Sequence, residues 1–126
     1  MVEVGRALDF ELSTLRDVRQ RVDDVAARYG VDSDRRAGLV LAVSELATNA
    51  IRYGGGRGSL RCWVDDHRLI AEIADAGQMP ELALAVARPA RGAQSGYGLW
   101  LVTQMTDRVA ISSSDAGTAV RVEVAR

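Results

Sequence analysis

Glu45, Asn49 and Arg52 follow one another at spacings of four and three residues, the separations that align side chains along one flank of an α-helix. A carboxylate, an amide oxygen and a guanidinium on one edge can serve a hard cation, an attacking hydroxyl and an anion. A Mg²⁺ ion that arrives with phosphates takes one or two protein oxygens and fills its other positions with phosphate and water, so one amide ligand at Asn49 is chemically sufficient. Glu45 is then free to orient a nucleophile. The same spacing also describes an ordinary solvated helix face, and taken alone it does not choose between the two.

Three further positions could belong to the same site. Asp75 ends the run Leu69-Ile70-Ala71-Glu72-Ile73-Ala74-Asp75 in phase with Leu69, Ala71 and Ile73, the inward positions of a strand covered on one side. A carboxylate there must cap the following Ala76-Gly77 turn or accept a hydrogen bond from a ligand, because burying an unpaired charge is costly. Gly96-Tyr97-Gly98 precedes a helix-like run, an arrangement that turns backbone N–H groups and the positive end of a helix dipole toward an anion. Gly-x-Gly also marks plain loops. Thr118 shares the parity of Val120, Val122 and Val124, so its hydroxyl ends another inward row and can reach the pocket of Asp75.

The elements that must hold these residues follow from apolar periodicity. After a short extended start, Leu15, Val18, Val22, Val25, Ala26 and Tyr29 mark an amphipathic helix that Ser13 can cap and Gly30 ends. Leu39, Val40, Val43, Leu46, Ala47, Ala50 and Ile51 mark a second helix of about five turns, with Ser33 or Asp34 as cap and Gly54-Gly55-Gly56 as its stop. The period then becomes two. Leu60, Cys62 and Val64, the turn Asp65-Asp66-His67, then Leu69, Ala71 and Ile73 predict a β-hairpin. Residues 78–95 hold both prolines and no sustained period, which predicts a long connector of functional kind. A short helix from Leu99 to about Thr106, a strand near Val109 to Ser113, the turn Asp115-Ala116-Gly117 and a last strand complete the chain. Helices and strands in this order do not alternate as a doubly wound parallel sheet requires. The expected fold is α+β: a two-layer sandwich whose mixed, largely antiparallel sheet is covered on one face by helices.

Composition narrows the function classes. The 126 residues suit one domain, 1–126, with a core of its own. With 17 acidic against 16 basic side chains, no long-range field draws the chain to nucleic acid or to an anionic membrane. One cysteine and one histidine do not make a transition-metal set, and Cys62 is expected in the core. No run reaches the roughly 20 apolar residues of a membrane span, and the first residues are not those of a secretory signal. A cytoplasmic location is the expectation.

S-E-L-A-T-N-A at 44–50, I-A-D-A-G at 73–77, G-Y-G-L at 96–99 and G-T-A-V at 117–120 resemble, in order and spacing, the nucleotide-binding boxes of the histidine-kinase-like ATPase superfamily, which has the Bergerat ATP-binding fold. The size, the E-L-A-T-N-A-I-R-Y-G wording and the G-Y-G-L-W-L-V helix start look most like the bacterial anti-sigma-factor serine kinases and their actinobacterial relatives. This resemblance implies ATP and Mg²⁺ as ligands. Asn49 would hold the metal, Glu45 would act as general base, and Asp75 would accept the adenine amino group, with Gly77 allowing close approach. Gly96, Gly98 and Leu99 would lie at the phosphates through the G-Y-G-L box. Thr118 would sit behind the adenine, Arg52 near the phosphates, and residues 78–95 would form the ATP lid. Many relatives carry a second glycine two residues beyond the Asp-x-Gly glycine, where this chain has Met79.

The function this implies is an Mg-ATP-dependent anti-sigma factor that binds a sigma factor and phosphorylates a serine on an anti-anti-sigma antagonist. Relatives of this kind are often homodimers, so a homodimer is one expected state. A histidine-kinase catalytic domain would need a phosphoacceptor histidine, and His67 falls in a hairpin turn. A regulatory module that binds ATP without phosphoryl transfer, or has lost tight ATP binding, is the alternative that Met79 favours.

Overall fold

The computed structural model of the chain describes residues 1–78 and 97–126; the expected lid, apart from Gln78, and Gly96 lie outside the described residues. Two short strands, β1 (Val2–Glu3) and β2 (Leu8–Glu11), lead through a 3-10 turn into α1 (Leu15–Arg28) and α2 (Ser33–Tyr53). The hairpin β3 (Arg57–Val64) and β4 (Arg68–Asp75) follows, then α3 (Tyr97–Met105) and the hairpin β5 (Arg108–Ser114) and β6 (Gly117–Ala125). The strands form one six-stranded sheet in the order β1-β3-β4-β6-β5, with β2 also paired to β3. Each of these pairings is antiparallel. The sheet is therefore antiparallel throughout the described residues, where a mixed, largely antiparallel sheet was expected.

The period-two residues face inward as their parity requires. Leu60, Cys62 and Val64 on β3, Leu69, Ala71 and Ile73 on β4 and Val120, Val122 and Val124 on β6 are buried in one core with Val18, Val22, Val25 and Ala26 of α1 and Leu39, Ala42, Val43, Leu46, Ala47 and Ala50 of α2. Leu99 and Val102 bring α3 into the same core. Burial pushes the Cys62 thiol up to about 11, so it behaves as a small apolar side chain. Helix α2 is the central member of the helical layer: it packs against α1, α3, β3, β4 and β6. The other sheet face carries charged side chains around Trp63 and the buried Ile70. There Arg61 and Arg121 stack on Trp63, at 4.8 and 4.7 Å from its ring centroid, and pair with Glu3 and Glu72.

Both helix starts differ from the expected caps. Ser13 lies inside the 3-10 turn, its hydroxyl donating to Glu11 Oε1, while Thr14 Oγ1 accepts from the Glu11 N–H. At α2 the cap is Asp32, one residue before Ser33; its Oδ1 accepts from the backbone N–H groups of Asp34 and Arg35, both at 3.0 Å. Serine and aspartate are comparable caps by propensity, so only the path of the chain through Val31, buried at the end of the α1–α2 connection, selects Asp32.

This assignment of the buried face of α2 predicts a contrast between two leucines two residues apart. Leu39, fully buried, should lose about 2–5 kcal/mol on substitution by alanine, whereas Leu41, 44% exposed, should change stability by no more than about 0.5 kcal/mol. Urea unfolding of Leu39→Ala and Leu41→Ala measures both, and similar losses would contradict the assigned face.

Candidate functional site

The second half of α2 carries the polar flank. Glu45 and Asn49 are half-buried and Arg52 is exposed, because Leu46, Ala47 and Ala50 turn into the core beside them. The residues form one edge, as the spacing required. The Arg52 guanidinium lies over the ring of Tyr53, 5.3 Å from its centroid, which sets it at the outer rim of this edge.

Opposite this flank stands the first turn of α3. A Cβ placed on Gly98 would lie 2.8 Å from Glu45 Oε2, so with glycine at 98 the Glu45 carboxylate lies close against the α3 backbone, and a larger residue there would turn the carboxylate aside. The N–H groups of a first helical turn lack partners within the helix, and such a turn suits an anion. Leu99 is buried, 3% exposed. Its side chain anchors α3 in the core, and its contribution to a ligand site is confined to its backbone.

Asp75 closes the site from the sheet side. Its Oδ1 accepts from the Gly77 N–H at 2.7 Å, the turn cap that was one of its two expected roles. Among the described residues, no hydrogen-bond donor reaches its second oxygen, Oδ2. Burial raises the carboxyl above its ordinary range, and the Gly77 N–H works against that rise. The half-buried carboxylate is thus held by one oxygen and presents the other.

Thr118 lies across from Asp75 in the β4–β6 pairing and is 3% exposed. Its hydroxyl donates to the Gly77 carbonyl at 2.9 Å and is 2.9 Å from Ser113 Oγ. Since the Thr118 proton is committed to Gly77, Ser113 is the donor in the second contact. The Gly77 turn is therefore tied at its N–H by Asp75 and at its carbonyl by Thr118. The structure brings Glu45, Asn49, Gly98, Asp75, Gly77 and Thr118 to one end of the helix–sheet boundary.

Gly54 and Ser113 were missed by the sequence reading. Gly54 lay in a glycine run that reads as a helix stop, and Ser113 lay in a triplet of serines without periodic signal. Pairing the last hairpin about its turn would have found Ser113, since it falls opposite Thr118.

The residues suit a nucleotide that brings its own metal. Asn49 and Glu45 have no hydrogen-bond partner among the described residues, and no group of three or more His, Cys, Asp or Glu side chains among those residues could hold a metal by itself. A donor set this small fits Mg²⁺ bound jointly with phosphate and water.

Among solved structures, the chain is similar to the RsbU and RsbW domains of Rv1364c from Mycobacterium tuberculosis, with a TM-score of 0.68 and 19% identity over 97% of this chain and 33% of that one. This chain thus spans about a third of that protein's length. It is also similar to the SiaB-SiaC complex from Pseudomonas aeruginosa, with a TM-score of 0.69 and 11% identity over 93% of this chain and 88% of that one. The catalytic domain of histidine kinase ThkA matches with a TM-score of 0.59 and 15% identity over 96% of each chain. No curated protein sequence matches. At these identities the likenesses establish the fold. Residues 8–124 match the histidine kinase-like ATPase domain as a family, and over that span the chain belongs to it.

Proposed function

We propose that the chain binds Mg-ATP at this site and uses it as an anti-sigma factor and serine-protein kinase, acting on a sigma factor and on a small anti-anti-sigma antagonist in the cytoplasm. The observation that carries the nucleotide reading is the division of labour at Asp75, one oxygen tied to Gly77 and the other without a donor among the described residues. Such an acceptor suits the exocyclic amino group of adenine and not the carbonyl that guanine has at the same place. The likeness to the RsbW domain and to the SiaB-SiaC complex, with the E-L-A-T-N-A-I-R-Y-G wording, supports the choice of partners.

In this reading Asn49 holds Mg²⁺, which neutralises phosphate charge, and the α3 N-terminus with Gly96 and Gly98 faces the phosphates. Thr118 holds the Gly77 turn under the base, and Arg52 supplies positive charge at the rim. Glu45 accepts the proton of the attacking serine hydroxyl as the serine oxygen bonds to the γ-phosphorus and ADP leaves. Catalysis on this scheme is positioning and charge neutralisation. A second reading, a module that binds ATP without transferring phosphate, is favoured by Met79 standing where many relatives have glycine.

Calorimetric titration with ATP and with GTP, each with and without Mg²⁺, tests the site without a partner. Binding should be adenine-selective and strengthened by Mg²⁺; absence of heat and of thermal stabilisation at saturating ATP would overturn it. Asn49→Ala should weaken Mg-ATP far more than Mg-free ATP. Glu45→Ala should keep ATP binding and lose phosphate transfer to serine by about a hundredfold or more, and an equal loss of both would count against its role as base.

Asp75→Asn separates function from stability. A carboxyl whose folded pKa is raised holds its proton more tightly in the folded chain, so the ionised form costs stability. That cost is fully present above the folded pKa and vanishes as the pH falls through the unfolded value. At about pH 7 Asp75→Asn should therefore melt at the same temperature as the unchanged protein or higher, with the difference closing in acid. Its preference for ATP over GTP should fall, because the amide presents N–H where the ligand's amino group donates. A lower melting temperature at every pH, measured by thermal denaturation, would contradict the burial argument.

A further inference from the structure

Three glycines follow α2, and they are glycine for different reasons. Gly55 and Gly56 have φ of +89° and +87°, a conformation that disfavours any other residue, and a Cβ on either would meet open space. Gly54 is the reverse. Its φ of −109° and ψ of 23° suit any residue, and its N–H closes the helix on Ala50 O at 2.7 Å. Space is what it lacks: a Cβ there would lie 2.5 Å from Asp75 Oδ1, with Asp75 Cγ closer still, and 2.6 Å from the Ala50 carbonyl oxygen.

Gly77 enters the same contact from the far side, where its own Cβ would lie 2.6 Å from the Tyr53 carbonyl and 2.8 Å from Gly54 Cα. The Asp75 carboxyl is consequently packed against the bare backbone at Gly54 while Oδ1 is drawn to the Gly77 N–H. A methyl group at position 54 would push Cγ away and rotate the carboxyl. It would break the Oδ1 bond and swing Oδ2 out of line, and hydrogen bonds weaken steeply with such misalignment.

We propose that Gly54 is the positioning residue for base recognition: its missing side chain sets the Asp75 carboxylate at the height and angle from which Oδ2 selects adenine. It acts through Asp75 and touches no ligand. The inference rests on the nucleotide reading proposed above, and its test distinguishes the failure of one from the failure of the other.

The experiment is a double-substitution cycle combined with nucleotide titration. Gly54→Ala should lower the ratio of ATP to GTP affinity by about tenfold or more, the value of one hydrogen bond to a charged group. Gly55→Ala, strained at its positive φ but clear of Asp75, should lower the melting temperature and leave that ratio unchanged. In thermal denaturation Gly54→Ala should cost clearly more in the presence of Asp75 than in an Asp75→Ala background, where the clash with the carboxyl is gone and only the approach to the Ala50 carbonyl remains. That recovery is readable even if Gly54→Ala alone fails to fold. An unchanged protein with no preference for ATP would overturn the nucleotide reading, and this inference with it. A preference that survives Gly54→Ala, or an equal cost of that substitution in both backgrounds, would overturn the inference about Gly54 alone.

Discussion

A charged group at the end of a buried row needs a partner, and at Asp75 that requirement is met within a space left by missing side chains. The carboxyl lies against Gly54 at the close of α2 and is bonded to the Gly77 N–H. Neither contact tolerates a larger neighbour. This joint fixes the last turn of the central helix relative to the end of the sheet's central strand, and the remaining parts of the site are placed by these two elements. Asn49 and Glu45 stand about one and a half and two and a half turns back along α2 from Gly54, and Thr118 lies across from Asp75 on β6.

The joint is affordable because the surrounding layer is rigid and apolar. Leu46, Ala47 and Ala50 bury the inner face of α2 through its second half, so the helix cannot roll to relieve a strained contact. The small residues among them let α2 approach the sheet closely. The same closeness recurs where Gly98 meets Glu45, which brings the positive end of α3 to the polar flank of α2. Two close approaches, one to Asp75 and one to Glu45, thus flank the polar edge of a helix that is otherwise packed for stability.

The Gly77 turn shows how such a site is kept in register. Its N–H is held by Asp75 and its carbonyl by Thr118, whose hydroxyl is in turn supported by Ser113. The chain of contacts runs across three adjacent strands. It lets one carboxylate oxygen serve structure while the other remains for a ligand. The two expected roles of Asp75, turn cap and ligand acceptor, are compatible because a carboxylate has two oxygens.

Periodicity alone determined much of this protein: apolar residues at helical and at period-two spacing select the buried face of each element whatever the rest of the chain does, so α1, α2, both hairpins and the inward rows ending at Asp75 and Thr118 were legible before the fold was seen. The Glu45–Asn49–Arg52 flank was legible for the same reason, since helix geometry ties side-chain direction to spacing. Caps were not, because Ser13, Asp32, Ser33 and Asp34 have similar propensities and only the path between α1 and α2 decides which side chain meets the free N–H groups. Nor was the pairing of two short N-terminal strands with one edge of β3, which depends on register across some 55 residues of chain. The role of Gly54 was hidden most completely. Its backbone conformation is ordinary, and the demand for a missing side chain comes from an aspartate 21 residues away, a steric fact that exists only once helix and sheet are packed together.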